Sequence, residues 1–227
     1  MYSCPVEAWS YLELSKYKQP GTIIIFGPNH TGMGAEIGVP DKVEAWETPL
    51  GNVQINNELI DKIVESSGKI SRNDNSHARE HSIEVQLPFL QYVMQEKFQF
   101  VPISLLNQSL DSSIMLGEVI SKACSEEDVI VIASSDFTHF MSHEEATKQD
   151  KQVLDAIEKM ETKEMYDIKY RLNVSMCGHG PIAATMEAAK KMGRTKAEIL
   201  KYATSGDASG DKRQVVGYGA AKFYAEK

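Results

Sequence analysis

The sequence has few cysteines, no long apolar run and no signal-like start, and each absence excludes a class of protein. The three cysteines, Cys4, Cys124 and Cys177, are an odd number at irregular spacings, so neither a disulfide framework nor a paired-cysteine zinc site is available. This usage is typical of a reducing compartment. The longest apolar stretches, at 22–26 and 129–133, are far too short to span a bilayer. We therefore expect a cytoplasmic protein with no membrane partner.

The chain also lacks runs of one charge sign, although it is acidic as a whole. Its 32 Asp and Glu outnumber its 24 Lys and Arg, which gives a net charge of -8, and no basic patch stands out. This balance argues against nucleic acid and anionic membranes as partners. A small molecule or a peptide is the expected ligand.

No repeat, low-complexity tract or linker interrupts the 227 residues, so we expect one domain over residues 1–227. Short β-branched runs alternate with longer stretches of helical period, which is typical of an α/β fold with helices covering a sheet. Strands are predicted at 22–26, 36–39, 43–46, 98–104, 129–133, 199–203 and 215–223, and helices at 5–16, 56–65, 88–94, 111–123, from 142 onward and at 181–192. The strand at 129–133 is predicted to be the most clearly buried.

Two of the predicted buried strands end in polar clusters that could carry chemistry. His30 follows the strand at 22–26, and Asp136 and His139 follow the strand at 129–133. Ligands of α/β folds bind beyond the carboxyl ends of the strands, so these side chains converge if the two strands are neighbours. Together they have the composition of a two-histidine, one-carboxylate metal face. The alternative is structural, with Asp136 as a helix cap and the histidines as satisfied internal residues.

Two further positions could contribute to a site. Cys177 precedes a helix of small residues, where the helix dipole favours a thiolate that could bind a metal or act as a nucleophile. The alternative is that Cys177 is a small, buried apolar residue at a glycine-rich turn. Glu80 and His81 belong to an ionisable cluster before Pro88 and could serve as acid, base or ligand partner, although a solvated face has the same composition.

The remaining polar positions are expected to be peripheral. His77 and His143 lie among charged and polar residues and are predicted to be surface residues, with His143 in the first turn of a helix. The segment 204–211 lacks the Lys and the spacing of a phosphate-binding loop, so we expect either a flexible flap or a surface turn. Cys4 and Cys124 are expected to be structural.

Several of these strings, in their order along the chain, resemble the Memo family. They are Gly27-Pro-Asn-His30, Thr48-Pro-Leu50, Glu80-His-Ser-Ile-Glu84 with Gln86-Leu-Pro88, Ser134-Ser-Asp-Phe-Thr-His139, Cys177-Gly178 and Val216-Gly-Tyr-Gly-Ala220. The family is named for a eukaryotic cell-motility mediator and is similar in fold to the class III extradiol dioxygenases of the LigB type, which use non-heme Fe(II). The resemblance therefore implies a three-layer αβα fold with a mainly parallel central sheet.

The resemblance also implies roles for individual residues. His30 matches a metal-ligand histidine, and Cys177 stands where the dioxygenases have a carboxylate ligand. His139 matches their acid/base histidine, with Asp136 beside it. The resemblance therefore assigns these two residues to the substrate side of the site and not to the metal. Fe(II) is the first expectation for the metal. Cu and Zn are alternatives, because replacing a carboxylate by a thiolate makes the ligand set softer.

One departure from the family pattern concerns the start of the chain. The family opens with a strand that ends in Ala-Pro-His-Ala-Gly-Tyr, whose histidine is another metal ligand, and this sequence begins at Met1-Tyr2-Ser3. We therefore expect a single Memo-like domain over 1–227 without its first strand, and a metal that is weakly held or absent. The exposed edge would make the chain less stable or make it associate into a homo-oligomer.

Three functions remain open from the sequence. The first is a metal-dependent, redox-active enzyme related to the dioxygenases, in which His139 moves a proton. The second is a non-catalytic module that binds a peptide or small ligand in the same cleft. The third is a purely structural subunit, which explains the polar clusters at the strand ends poorly.

Overall fold

The computed structural model describes residues 2–94 and 97–226. Its strands are β1 (Thr22–Pro28), β2 (Ile37–Val39), β3 (Ala45–Thr48), β4 (Gly51–Ile55), β5 (Ile70–Arg72), β6 (Gln99–Leu105), β7 (Val129–Ala133), β8 (His139–Met141), β9 (Lys196–Thr204) and β10 (Val215–Tyr224). Its α-helices are α1 (Cys4–Leu14), α2 (Asn57–Glu65), α3 (Leu87–Val93), α4 (Leu110–Ala123), α5 (His143–Glu158), α6 (Thr162–Arg171), α7 (His179–Lys191) and α8 (Ser205–Ser209).

The larger sheet is built around β1, the most apolar run of the sequence. Its strand order is β3-β4-β6-β1-β7, with β2 paired to β6 and β5 paired to β2. β1 runs parallel to both β6 and β7, and β4 runs parallel to β6, so the centre of the sheet is parallel. Ile23 to Phe26 are fully buried, as expected for a parallel strand covered on both faces.

Helices flank this sheet and complete the core. α4 packs against both α2 and α7 beside it, and α1 packs with α3. The predicted α/β fold with a mainly parallel central sheet between helices is therefore confirmed. No helix in the described part of the chain is long and apolar enough to span a bilayer.

A smaller antiparallel sheet, in the order β8-β10-β9, forms beside the larger one. It packs with α5, and a second apolar cluster there includes Phe137, Leu154 and Met165. β10 also contacts α1. α1 therefore lies against the smaller sheet as well as against α3.

The structure corrects three expectations about elements. All five residues of β7 are only half-buried, because β7 pairs with β1 alone among the described strands. The segment expected to be a flap or a surface turn, 204–211, contains the short helix α8, whose capping box joins Thr204 to Asp207. Finally, β4, β5, β8 and α6 form where no element was predicted. α6 is largely polar, so its helical period is weak in the sequence.

Candidate functional site

The polar clusters that follow β1 and β7 meet at one edge of the larger sheet. β1 and β7 are parallel neighbours, so the adjacency on which their convergence depended is confirmed. The side chains of His30, Asp136, His139 and Cys177 all line one cavity of about 2040 Å³. The cavity therefore lies at the carboxyl ends of the strands, where α/β folds bind their ligands.

His30 is held by the buried carboxylate of Glu80. Its Nδ1 lies 3.0 Å from Glu80 Oε1, and its backbone N–H donates to the same carboxylate. The backbone N–H groups of His81 and Ser82 donate to Glu80 Oε1 at 2.8 and 2.9 Å. Only 2% of the Glu80 side chain is exposed, against 40% for His30. The carboxylate thus fixes the ring from behind and leaves its other face open to the cavity.

The electrostatics of this pair follow from its contacts. Burial acts to raise the pKa of Glu80, but the hydrogen bonds from His30 and Ser82 outweigh it and lower that pKa to about 2. A hydrogen bond to the Cys177 side chain is the largest cause that raises the pKa of His30 to about 9, and Glu80 adds to it against the effect of burial. Because Nδ1 is engaged by Glu80, Nε2 is the ring atom left for the sulfur.

His81 adds a third potential ligand beside this pair. Its ring stacks on the His30 ring with centroids 5.1 Å apart, and its Nδ1 lies 3.4 Å from Glu80 Oε1. One donor atom each from His30, Glu80 and His81 lie within 4.8 Å of one another. Imidazole nitrogens and a carboxylate oxygen are a donor set that first-row transition metals accept, so this triad could hold a metal ion.

Cys177 is fixed between the end of β7 and the start of α7. The Asp136 N–H donates to Cys177 Sγ at 3.2 Å, and the Cys177 N–H donates to the Asp136 carbonyl oxygen at 3.2 Å. Gly178 approaches β7 so closely that a Cβ there would lie 2.3 Å from the Ser134 carbonyl oxygen. Cys177 is half-buried with a polar environment. The thiol therefore faces the other candidate site residues.

His139 and Asp136 form a second pair at the cavity wall. Nδ1 of His139 lies 3.0 Å from the Ser175 carbonyl oxygen, which can only accept, so Nδ1 carries the hydrogen. Nε2 then faces Asp136, with 3.8 Å between Nε2 and Oδ2. The nearby Asp136 carboxylate is the largest cause that raises the pKa of His139. Nε2 is therefore the atom through which His139 could exchange a proton.

Asp150 on α5 holds the backbone that carries His139, although the sequence gave no reason to single it out. Asp150 is fully buried and accepts hydrogen bonds from the Thr138 N–H, the Thr138 hydroxyl and the Tyr202 hydroxyl at 3.1, 2.6 and 2.8 Å. Burial is the main cause that raises its pKa. A Cβ at Gly217 would lie 1.9 Å from Asp150 Oδ2, so only glycine fits there.

Glu7 is a cavity residue that sequence reasoning missed. It lies on α1 and lines the cavity, and its Oε1 is buried without a hydrogen-bond partner. Burial, followed by the charge of Asp136, raises the pKa of Glu7 to about 7. The only sequence signal was an acidic residue four positions before Tyr11 on a partly apolar helix.

His77 and His143 lie outside the site in structural surroundings. The prediction that His77 is a surface residue is wrong, because the ring packs edge-on against Trp46 at 5.5 Å and its nitrogens are buried. Burial lowers the pKa of His77 to about 4. His143 begins α5, as predicted, and its Nδ1 lies 2.9 Å from the Thr204 hydroxyl.

Comparisons with known proteins place this geometry among relatives. The family model described as "Memo-like protein" matches residues 1–222. A MEMO1 family protein of Methanopyrus kandleri is 47% identical over 224 residues, which are 98% of this chain and 79% of that protein. MEMO1 family proteins of Saccharolobus solfataricus and Methanothermobacter thermautotrophicus are each 43% identical, over 98% and 96% of this chain and 79% of their own lengths.

A solved structure supports the fold at a much lower sequence identity. The crystal structure of an uncharacterised protein from Escherichia coli K12 has a TM-score of 0.62 to this chain at 13% sequence identity. The similarity covers 93% of this chain and 92% of the other. At this identity the likeness concerns the arrangement of helices and strands alone.

Proposed function

The chain belongs to the Memo-like protein family, and from this premise we propose that it is a metal-dependent redox enzyme related to the extradiol dioxygenases. The confirmed family membership makes the sequence resemblance a sound starting point. The observation that carries the proposal is the position of His30, whose ring is fixed by the buried Glu80 and lines one cavity together with Cys177. Carboxylate-oriented histidines are a regular feature of protein metal sites.

The donor set fits a divalent metal. In this proposal His30 and Cys177 are the protein ligands, and Glu80 orients the His30 ring from behind. Fe(II) is the first choice of metal, with Cu and Zn as alternatives, because a thiolate beside an imidazole also suits softer ions. A metal bound there would act as a Lewis acid that orients and polarises a substrate oxygen.

The chain's own residues supply the proton transfer. His139 presents Nε2 toward Asp136, and Ser175 fixes the ring from the opposite side. An imidazole in this setting can accept a proton from a substrate hydroxyl and return it later. Asp136 also donates its N–H to the Cys177 sulfur, so it links the proton-transfer pair to the proposed ligand.

A non-catalytic binding module is the second candidate, and the size of the cavity favours it. Its volume of about 2040 Å³ exceeds the roughly 300–1,000 Å³ of ordinary small-molecule sites. A peptide would use that extra space, whereas a small phenolic substrate would not. In this second function the ligand binds without metal, and His139 is replaceable at little loss.

Metal content and oxygen consumption distinguish these possibilities. The protein is purified without a His tag, loaded anaerobically with Fe(II), Cu(I) or Zn(II), and assayed by elemental analysis and by oxygen uptake with a panel of catechols. We expect Cys177→Ser to weaken metal binding about 10–100-fold, and Cys124→Ala, at a cysteine outside the cavity, to leave it unchanged. His139→Gln should remove turnover while metal content stays.

Two outcomes would contradict the proposal. Retention of metal in Cys177→Ser together with loss in His81→Ala would assign the site to the His30, Glu80 and His81 triad instead. Absence of oxygen-dependent product with every metal, together with ligand binding that ignores metal, would favour the binding module.

A further inference from the structure

Asp150 on α5 carries a buried carboxylate that contacts the loop leading to His139. Its Oδ1 accepts from the Thr138 N–H at 3.1 Å and from the Thr138 hydroxyl at 2.6 Å, and its Oδ2 accepts from the Tyr202 hydroxyl at 2.8 Å. An ionised carboxylate only accepts hydrogen bonds, so it accommodates all three donors at once. The 2.6 Å contact has the length that a hydroxyl shows to a charged oxygen. These contacts favour the ionised form of Asp150 and oppose the effect of burial, which raises its pKa.

The same loop is also held from β10 and from the chain before Cys177. The Gly217 N–H donates to the Thr138 carbonyl oxygen at 2.8 Å, and the His139 N–H donates to the Ser175 hydroxyl at 2.7 Å. A Cβ at Gly217 would collide with the Asp150 carboxylate, so β10 packs directly on that group. The backbone before His139 is therefore fixed on more than one side, and among these contacts Asp150 provides the charge.

Stability alone does not explain a charge at this position. Burying an ionised carboxylate costs free energy, and a neutral side chain of the same shape often stabilises a fold equally well. An asparagine here could accept from Thr138 with its oxygen and donate to the Tyr202 oxygen with its amide. The negative charge is the property that asparagine would not supply. The charge of His139 acts on this carboxylate in turn.

Two carboxylates thus act on His139, and they differ in exposure. Asp136 has 43% of its side chain exposed, and its Oδ2 lies 3.8 Å from Nε2 of His139. Asp150 is fully buried, so water and salt screen its charge much less. Asp136 faces the ring atom that could exchange a proton, whereas Asp150 holds the backbone that leads to the same ring.

We propose that Asp150 is a positioning residue for proton transfer by His139, which fixes the backbone before His139 and supplies a permanent negative charge near its ring. The proposal rests on the proposed role of His139 and does not depend on a metal. When a substrate hydroxyl gives its proton to Nε2, the O–H bond breaks, an N–H bond forms, the ring becomes a cation and the substrate oxygen becomes an anion. A negative charge that is already in place stabilises that cation without reorganisation.

The direct test measures the pKa of His139 by NMR in the unsubstituted protein and in Asp150→Asn. The His139 signal is assigned by its absence in His139→Gln. We expect Asp150→Asn to lower the pKa of His139 by about 0.5–1 unit, which is less than the effect of a carboxylate in direct contact. Its Tm and amide spectrum should change little, because asparagine keeps the contacts of the carboxylate. Asp155→Asn, at an exposed carboxylate of the same helix, is the matched control and should leave the pKa of His139 unchanged.

Turnover gives a second readout that a purely structural role would not produce. In the oxygen-uptake assay, Asp150→Asn should lower kcat by about 3–10-fold, in proportion to the change in the pKa of His139, with KM nearly unchanged. The acid limb of the pH profile should move to lower pH, because His139 then loses its proton at lower pH. If the unsubstituted protein shows no turnover, the proposed redox function fails, whereas the NMR comparison still decides the role of Asp150.

A measurement on the unsubstituted protein decides if Asp150→Asn does not fold. The ¹³Cγ chemical shift of Asp150 reports whether its carboxyl is ionised. We expect the shift of a carboxylate at neutral pH, with a further small step at the pH where His139 titrates, because the two charges interact.

Three results would overturn the proposal. The first is a protonated Asp150 at neutral pH, and the second is a ¹³Cγ shift that ignores the titration of His139. The third is a folded Asp150→Asn in which the pKa of His139 is the same as in the unsubstituted protein, or falls no further than in Asp155→Asn.

Discussion

Glu80 is the residue on which the geometry of the candidate site depends most. A carboxylate that is 2% exposed is stable in the fold only if its oxygens are paired. Here backbone N–H groups and the His30 ring provide the partners. The arrangement is local, since the partners from His81 and Ser82 follow Glu80 directly in the chain. The loop that carries Glu80 thus supplies part of the hydrogen-bond partners of this carboxylate, and His30 supplies the rest.

Replacing Glu80 by Gln should loosen His30 and lower its pKa. The amide keeps the shape but loses the charge and one acceptor oxygen, so the charge of Glu80 no longer raises the pKa of His30 and its hydrogen bond raises that pKa less. The free energy of unfolding should fall by about 1–3 kcal/mol. NMR titration of the His30 ring and urea denaturation measure the two effects. Glu84→Gln, at an exposed neighbouring carboxylate, is the control, and an unchanged His30 pKa would refute the assigned role.

His77 should make the fold sensitive to acid. Its pKa falls from 6.5 to about 4 on folding because the ring is buried, so the folded state favours the neutral form. This contribution to stability is complete above pH 6.5, declines as pH falls and is lost by pH 4. We expect His77→Phe, which keeps a ring against Trp46, to reduce the loss of stability between pH 6.5 and 4 by about 1–3 kcal/mol. Denaturation curves at several pH values measure it, and an identical pH slope in the variant would contradict it.

Residues that follow strands were predictable from the sequence, whereas residues that matter through distant neighbours were not. His30 and Asp136 stand at the ends of apolar runs, and strand ends of a parallel sheet share one edge. The pKa of Glu7 is raised by burial in the wall of the cavity and by the charge of Asp136, which is remote in sequence. No local pattern contains that information.

At the scale of elements, α5 is the helix that positions His139. Ser142, where the predicted helix begins, is the N-cap, and its hydroxyl accepts from the Glu145 N–H. Two turns later, Asp150 on the same helix holds Thr138, the residue before His139. The orientation of α5 therefore sets where the loop with His139 lies.

Ser142→Ala should destabilise the protein by about 1 kcal/mol, because it leaves N–H groups of the first turn without their acceptor. Thermal and urea unfolding measure the loss. Ser125→Ala, at an exposed serine after α4, is the matched control and should change stability little. Equal effects of the two substitutions would show that the cap does not stabilise α5.

The periodicity of the sequence predicted which segments are helices and strands, but not how deeply each one is buried or what it pairs with. β7 is a strand where predicted, yet its half-buried state came as a correction. A continuous apolar run shows that both faces of a strand are covered, but carries no information on whether its two edges are paired. For the same reason, the sequence did not predict where the larger and the smaller sheet lie next to each other.

At the scale of the whole molecule, the larger sheet places the candidate metal site. β7 leads directly into Ser134 and Asp136, and Asp136 contacts Cys177. His30 follows β1, the parallel neighbour of β7. The pairing of these two strands therefore brings His30 and Cys177 to the same cavity.

The number of donors predicts that this chain holds divalent metal weakly. His30 and Cys177 are two protein donors, whereas protein metal sites usually supply three or four. We expect anaerobic Fe(II) titration, followed by elemental analysis after dialysis, to give well under one equivalent of metal. If the chain keeps one equivalent after dialysis, the ligand roles of His30 and Cys177 are wrong. The preformed set of His30, Glu80 and His81 then explains the binding, since it needs no further donor.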